Sequence, residues 1–167
     1  LNPFHVDLLN TDEPPEYVCF LCVRPDPAGG GGTILSNLHT AIKHLPPEAI
    51  NILQKLIFRE GDFFDLSGVG SELNPFPVLG FTQDRFPRIR FSGKTVLCDI
   101  YGKEGTEALR LLYDALDNDR EVLTLQSGQL LIANQLIIAH GRLPLGPQEI
   151  PPPERRLILQ MFLRRVI

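Results

Sequence analysis

The sequence predicts a β-sandwich or β-barrel into which a few helices are inserted. Three observations support this prediction: many short apolar runs, few stretches with helical periodicity, and frequent turn residues. The chain has 167 residues, and its 15 prolines and 14 glycines divide it into short segments. Hydrophobic residues make up 43% of the chain and charged residues 22%, which is enough apolar material for one core.

Short apolar runs between turn residues mark the predicted strands. The first run, YVCFLCV at residues 17–23, is apolar and β-branched and is bounded by prolines on both sides, so we expect a buried strand. The other predicted strands are residues 33–36, 89–91, 95–100, 121–125 and 156–164, with a strand or strand pair over 130–139. The glycine-rich run 26–32 predicts a flexible loop, because no Gly-Lys-Ser/Thr follows it as in a phosphate-binding loop.

Three segments have apolar residues at helical spacing. Residues 37–44 and 48–57 predict two helices, and Pro47 suits the first turn of the second one. Residues 105–118 predict a longer helix because their leucines and alanines recur every three to four positions. Residues 58–87 are rich in Gly, Phe and Pro without clear periodicity. They are either meandering strands or a long lid, and residues 143–153 form a proline-rich loop.

Charge and cysteine content narrow the classes of protein. The net charge of −4 leaves no basic surplus for phosphates, so we expect no nucleic-acid partner. The longest apolar stretch, residues 130–139, is too short to cross a bilayer, and no membrane partner is expected. Three cysteines suggest no disulfide framework, and we expect a soluble cytoplasmic protein. Cys19 and Cys22 form a Cys-x-x-Cys pair, but on a strand they point to opposite faces, which favours core packing.

The triplet His5-Val6-Asp7 is the first candidate metal-binding feature. Residues i and i+2 of a strand project from the same face, so one imidazole and one carboxylate would point at a common position. With a third ligand from a distant strand they would form a facial triad, which leaves three coordination positions open. The pair alone is weak support, because His-x-Asp is common by chance.

Two residues near the C-terminus are further candidates for a functional site. His140 ends the apolar run 130–139, although a single histidine at such a place is usually structural. Arg156 opens the run RLILQMF. A buried arginine that faces a cavity needs an anionic partner, and a dicarboxylate ligand would supply one through a bidentate contact.

These phrases resemble motifs of the clavaminate-synthase-like Fe(II)/2-oxoglutarate-dependent oxygenases, which include TauD-type enzymes and hydroxylases of free amino acids such as arginine. Their first ligands stand in a phrase like FHTE, followed by PDYVxLLCLRPD; here residues 4–7 read FHVD and residues 15–26 read PEYVCFLCVRPD. Residues 128–145, GQLLIANQLIIAHGRLPL, match the distal phrase GDLLIIDNRRAVHGRxPF in register. Residues 156–162 match the final phrase RWLQRxF loosely.

The resemblance implies roles for five residues. His5, Asp7 and His140 fall on the three iron ligands, and Arg156 falls on the arginine that binds the far carboxylate of 2-oxoglutarate. Thr33, 28 residues after His5, falls on a threonine that contacts the same carboxylate. Arg142 either contacts a ligand or is structural.

The resemblance also implies a fold and an activity. The fold would be a distorted double-stranded β-helix, the jelly-roll of the cupin-like proteins, with residues 58–86 as an insert that partly covers the site. With Fe(II), 2-oxoglutarate as co-substrate and O₂, the enzyme would hydroxylate an unactivated C–H bond of a free amino acid or a related small polar metabolite in specialised metabolism. The carboxylate at Asp7 favours hydroxylation, desaturation or cyclisation over halogenation. Two alternatives are a non-catalytic jelly-roll binding protein and another cupin-like metal enzyme.

Several residues of this sequence differ from the motifs of the family that it resembles. Gln129 stands where the distal phrase has an acid, Asn134-Gln135 replaces Asp-Asn, and Gln160 replaces the second arginine of the final phrase. These changes remove no ligand, but they suggest a divergent substrate or a weakened enzyme. The chain also begins with Leu, and its first candidate ligand is residue 5. We therefore expect residues 1–167 to be a single oxygenase domain that lacks an N-terminal segment.

Overall fold

The computed structural model describes residues 1–9, 15–55, 58, 76–81, 87–93, 102–147, 149 and 151–164. Within these ranges the chain is mostly antiparallel strands, with few helices, as the sequence predicts. The strands are β1 (Asn2–His5), β2 (Tyr17–Arg24), β3 (Thr33–Asn37), β4 (Leu79–Phe81), β5 (Pro87–Ile89), β6 (Glu121–Leu123), β7 (Leu130–Asn134), β8 (Ile138–Arg142) and β9 (Leu157–Leu163). The helices are α1 (Leu38–Ile42), α2 (Pro47–Leu53), α3 (Gly102–Asn118) and a short 3₁₀ helix at Pro152–Glu154.

The first sheet has the strand order β1-β8-β3-β6 and places β8 between β1 and β3. A side chain on β8 therefore has a neighbour on each side, and His140 lies opposite His5 on β1 and Leu35 on β3. Gly141 permits this close packing, because a Cβ at that position would meet the backbone oxygen of Asn2 at 2.6 Å. The glycine that follows His140 thus keeps β1 against β8.

The second sheet has the order β7-β2-β9, with the apolar strand β2 in its centre. Because side chains alternate along a strand, one face carries the buried Val18, Cys22 and Ala133. The opposite face exposes apolar side chains of the two edge strands, among them Leu130, Ile132, Leu159, Met161 and Leu163. Only one face of this sheet is therefore covered by the described residues.

The helices cover the core beside the first sheet. Helix α3 buries an apolar stripe against α1 and α2, formed by Ala108, Leu109, Leu112, Ala115 and Leu116. Phe4 and Val6, on either side of His5, belong to the same core cluster, so the segment that carries His5 is held by apolar contacts. Among the described residues, no helix has the length and apolar character needed to cross a membrane.

Element boundaries differ from the sequence predictions in several places. Helix α3 begins at Gly102, three residues before the predicted start, and α2 ends at Leu53. Residues 130–139 are a strand pair, but β7 and β8 belong to different sheets and are joined by a turn. The predicted strand 95–100 and most of the predicted insert 58–86 lie outside the described residues.

Candidate metal centre

His5, Asp7 and His140 come together in the structure. Their potential ligand atoms all lie within 4.8 Å of one another. An oxygen of the Asp7 carboxylate is 3.1 Å from Nε2 of His140, and the other oxygen is 3.7 Å from Nε2 of His5. Two imidazoles and one carboxylate with open coordination positions form the donor set typical of non-haem Fe(II) sites, so these residues fit an iron ion.

Strand pairing explains why two distant histidines meet. His5 and His140 are direct partners in the antiparallel pair of β1 and β8, and their ring centroids are 4.5 Å apart. Side chains of directly opposed residues project from the same face of a sheet. The register of β1 against β8 therefore brings together two histidines that are 135 residues apart in the sequence.

The prediction that His5 and Asp7 both lie on one strand is wrong. Strand β1 ends at His5, and Asp7 lies in the turn that follows, where Leu8 has a φ of 52°. The backbone N–H of Asp7 donates to Oε1 of the Gln135 side chain at 2.9 Å. The turn, rather than strand alternation, brings the Asp7 carboxylate to the two imidazoles.

A backbone contact selects the tautomer of His5. Nδ1 of His5 is 2.8 Å from the carbonyl oxygen of Pro3, which can only accept a hydrogen bond, so Nδ1 carries the proton. The lone pair then lies on Nε2, which faces Asp7. This arrangement, with the other ring nitrogen bound to a carbonyl, is common among metal-binding histidines.

The electrostatics favour an ionised carboxylate and a neutral buried imidazole. Burial alone raises the pKa of Asp7, but its contacts with His140 and His5 outweigh this effect and hold that pKa well below its usual range. Burial lowers the pKa of His140, and the hydrogen bond with Asp7 offsets this effect only in part. These are the protonation states that metal binding requires, because a protonated ligand must lose its proton first.

His140 is buried between the two sheets. The Phe20 ring from the second sheet packs edge-on against the imidazole, with ring centroids 5.2 Å apart. Nδ1 of His140 is buried and has no hydrogen-bond partner among the residues that the structure describes. The two sheets therefore meet at this side chain.

Two glutamines that sequence reasoning did not place at the centre contact Asp7. Gln135 is 2% exposed, accepts from the Asp7 backbone and donates from Nε2 to the Pro15 carbonyl at 2.7 Å. Gln160 on β9 donates from Nε2 to Oδ2 of Asp7 at 2.8 Å. A polar residue inside the apolar run 130–139 was a usable signal for Gln135, because a buried amide must find partners.

Thr33 and Arg156 both lie next to the glycine-rich loop 26–32. Thr33 is buried at the start of β3 and pairs in register with Arg142 on β8. The Arg156 side chain packs against Gly31. A Cβ added to Gly31 would lie 3.1 Å from Cδ of Arg156. Burial and the nearby Arg142 both lower the pKa of Arg156. Nε of Arg142 is also buried and has no hydrogen-bond partner in the described part of the chain.

The glycine-rich loop 26–32 is held by specific bonds rather than free. The Asp26 carboxylate accepts hydrogen bonds from the backbone N–H groups of Gly146 and Ala28, which lower its pKa. Gly31 donates to the Pro144 carbonyl at 2.8 Å and adopts a φ of 69°, which favours glycine. This junction forms the wall against which Arg156 packs.

Two other cysteines and two other histidines, which are also metal-binding residue types, have structural positions. Cys19 and Cys22 are buried free thiols, and the Cys22 Sγ lies 3.4 Å from the Leu125 carbonyl, which supports core packing. His39 and His44 are exposed near α1, and His44 pairs with Asp119 at 3.4 Å. None of these four residues contacts the candidate metal centre in the described structure.

Known proteins resemble this chain in sequence and in fold. An L-asparagine oxygenase of Streptomyces coelicolor is 28% identical over 148 residues, which cover 87% of this chain and 43% of that protein. A structure of asparagine oxygenase with Fe(II), 3-hydroxyasparagine and succinate has a TM-score of 0.81 and 25% identity, and covers 97% of this chain. The non-haem iron oxygenase OrfP, in complex with iron and α-ketoglutaric acid, has a TM-score of 0.73 at 17% identity and shares the fold.

The chain spans about half the length of these proteins, 49% of the asparagine oxygenase structure and 48% of OrfP. The shared architecture confirms the predicted double-stranded β-helix. The family described as taurine catabolism dioxygenase TauD, TfdA family matches residues 1–162. The chain therefore belongs to the TauD/TfdA family of dioxygenases.

Proposed function

We propose that this chain carries the metal and co-substrate sites of an Fe(II)/2-oxoglutarate-dependent oxygenase that hydroxylates a free amino acid or a related small polar metabolite. One observation carries the proposal: the ligand atoms of His5, Asp7 and His140 converge within 4.8 Å. Membership of a dioxygenase family makes Fe(II) the metal that fits this donor set best.

The surroundings of each of the three side chains favour the form that binds a metal. Nε2 of His5 offers a lone pair because Nδ1 donates to Pro3, and His140 is kept neutral by burial. Asp7 stays ionised and supplies the negative charge that a divalent cation needs. When bound, the iron with 2-oxoglutarate and O₂ supplies the oxidant that converts C–H into C–OH, with release of succinate and CO₂.

The co-substrate's far carboxylate would be bound by Arg156 with help from Thr33. The two residues are connected through the loop that holds Gly31 against the Arg156 side chain. Arg142 is the cross-strand partner of Thr33. Its buried Nε has no hydrogen-bond acceptor among the described residues. Because a buried donor without an acceptor is costly, an anionic ligand beside Arg142 and Arg156 would stabilise this junction.

The substrate class is inferred from the relatives. The Streptomyces coelicolor protein is an L-asparagine oxygenase, and the asparagine oxygenase structure contains a hydroxylated asparagine. Both support an amino acid as substrate for this chain. Apolar contact between Phe20 and His140 would shield one side of the centre from water, which favours reaction at the bound substrate over side reactions.

The two alternatives gain no support from a specific observation. A non-catalytic binding protein would not need two imidazoles and a carboxylate at coordinating distance. A different cupin-like metal enzyme, independent of 2-oxoglutarate, would leave the buried Nε of Arg142 without an acceptor among the described residues.

The experiment is a screen for amino-acid-dependent succinate release. The protein is loaded with Fe(II), supplied with 2-oxoglutarate and O₂, and offered the proteinogenic amino acids one at a time, with His140→Ala as the inactive control. We expect at least one amino acid to stimulate succinate release and to gain one oxygen atom by mass spectrometry. Succinate release that no amino acid or derivative stimulates, or product without 2-oxoglutarate, would contradict the proposal.

A further inference from the structure

Gln160 reaches the candidate metal centre from the opposite sheet. Strand β9 pairs with β2, and the register places Gln160 opposite Phe20, whose ring packs against His140. Both side chains therefore project from the same face of the second sheet, toward the metal ligands. This position explains how a residue 153 positions from Asp7 forms a 2.8 Å hydrogen bond with its carboxylate.

Asp7 needs such a contact because strand geometry does not orient it. It lies in a turn after β1, and its backbone is attached to Gln135 rather than to a neighbouring strand. The Gln135 bond holds the main chain, but the carboxylate can still rotate about its side-chain torsions. A second contact, at the carboxylate itself, is required to select one orientation.

The His140 contact cannot serve that purpose once a metal is bound. Nε2 of His140 is 3.1 Å from Oδ2 of Asp7, the same oxygen that accepts from Gln160. A nitrogen that coordinates a metal carries no proton, so it cannot donate a hydrogen bond at the same time. The amide of Gln160 keeps its protons and remains a donor in either state.

We propose that Gln160 is a positioning residue that holds the Asp7 carboxylate in its metal-binding orientation through a hydrogen bond that adds no charge. This inference rests on the metal site of the proposed function. The resembling family has an arginine in the final-strand phrase where this chain has Gln160. The amide of Gln160 orients Asp7 through a neutral donor and leaves the carboxylate charge available to a divalent cation.

The test measures metal binding rather than turnover. Co(II), a spectroscopic substitute for Fe(II), is titrated into the metal-free protein, and both the dissociation constant and the visible d–d spectrum are recorded. The variants are Gln160→Ala, which removes the donor, and Gln160→Arg, which keeps a donor but adds charge. Gln129→Ala is the matched control, because Gln129 is an exposed glutamine beside β7 that bonds Gln126. Circular dichroism establishes that each variant is folded.

We expect Gln160→Ala to weaken Co(II) binding about tenfold and to alter the d–d spectrum, since loss of an outer hydrogen bond typically costs about 10–100-fold in metal affinity. Gln160→Arg should keep the wild-type spectral shape, because a donor still orients Asp7. Gln129→Ala should bind as wild type.

Three outcomes would overturn the account at different levels. Wild-type affinity and spectrum in Gln160→Ala would refute the positioning role, although the metal site would stand. A Gln160→Arg spectrum that changes as much as the Gln160→Ala spectrum would refute the requirement for a donor at this position. Failure of the folded wild-type protein to bind Co(II) or Fe(II) would instead refute the proposed function on which the inference rests.

Discussion

His5 and His140 are direct cross-strand partners, and their imidazole rings lie 4.5 Å apart between β1 and β8. This pairing means that the metal centre depends on the register of one strand pair. A shift of one residue would turn one of the two side chains to the opposite face. Contacts that hold β1 in register are therefore also contacts that hold the metal ligands.

Replacement of His140 by Ala should abolish tight metal binding. The substitution removes one of three ligands and leaves a cavity beside Phe20, so we expect the Fe(II) affinity to fall by about two orders of magnitude or more. Anaerobic equilibrium titration measures the change. His39→Ala, at an exposed histidine on α1, is the matched control and should bind Fe(II) as wild type. Equal Fe(II) affinities in the two variants would show that His140 is not a metal ligand.

Gly141→Ala should destabilise the protein and weaken the metal site together. The added Cβ would meet the Asn2 carbonyl oxygen at 2.6 Å and Ile34 side-chain atoms at 3.0 Å, so β1 or β3 must move away from β8. We expect a loss of about 1–3 kcal/mol in the free energy of unfolding, as is typical of overpacking. Chemical denaturation measures this loss, and metal titration should show weaker binding.

Gly80→Ala is the control for this change, because its added Cβ meets the Pro77 side chain at 3.2 Å and, among the described residues, no ligand-bearing strand. It should leave the metal affinity unchanged. A Gly141→Ala protein with wild-type stability and wild-type metal affinity would show that the close approach of β1 to β8 is not required.

The metal-free protein should lose stability as the pH falls from 7 to 5. Burial lowers the pKa of His140 from its ordinary value of 6.5, so below that pH the unfolded chain binds a proton that the folded chain does not. This contribution is fully present above pH 6.5 and is lost progressively below it. The lowered pKa of Asp7 acts in the same direction at more acid pH.

Thermal denaturation in the presence of a chelator measures the pH effect. In His140→Asn the melting temperature should fall less between pH 7 and pH 5 than in the wild type, because the titrating imidazole is gone. If the two proteins lose the same number of degrees over this interval, another group accounts for the pH dependence.

Arg156→Met should weaken 2-oxoglutarate binding while it leaves metal binding intact. The guanidinium is half-buried beside Arg142 and the glycine-rich loop, so its loss removes a charge-assisted contact from the co-substrate's carboxylate. We expect the dissociation constant for 2-oxoglutarate to rise by about tenfold or more, and Arg142→Met to act in the same direction. Calorimetric titration of the metal-loaded protein measures both.

Arg110→Met provides the comparison for these variants. Arg110 lies on the exposed face of α3, where it pairs with Glu107 and Asp114, and surface pairs of this kind contribute little. Its 2-oxoglutarate affinity should equal that of the wild type. Unchanged co-substrate binding in both Arg156→Met and Arg142→Met would remove the arginine pair from the site.

Sequence reasoning predicted most strands because short apolar runs between turn residues are a local signal. The buried strand β2 and the strand pair β7 and β8 follow from such runs. The assignment of β7 and β8 to different sheets depends on partners far along the chain, and local pattern cannot supply it. The start of α3 was placed three residues too late because its first turn carries no apolar stripe.

The candidate site was predicted to a similar extent and for similar reasons. His5, Asp7 and His140 were selected by motif resemblance, and the structure brings them together. Their local geometry differs, because Asp7 lies in a turn rather than on β1. Gln135 and Gln160 were seen as departures from motifs, and their contacts with Asp7 arise from tertiary pairing that no spacing along the sequence reveals.

The most direct test of the account is the visible charge-transfer band that forms when Fe(II) and 2-oxoglutarate are added to the protein without oxygen. The account predicts a band in the wild type, its loss in His140→Ala because iron is not held, and its loss or a large rise in the required 2-oxoglutarate concentration in Arg156→Ala. A folded wild-type protein that binds Fe(II) but shows no band at saturating 2-oxoglutarate would contradict the central claim that this chain carries both sites.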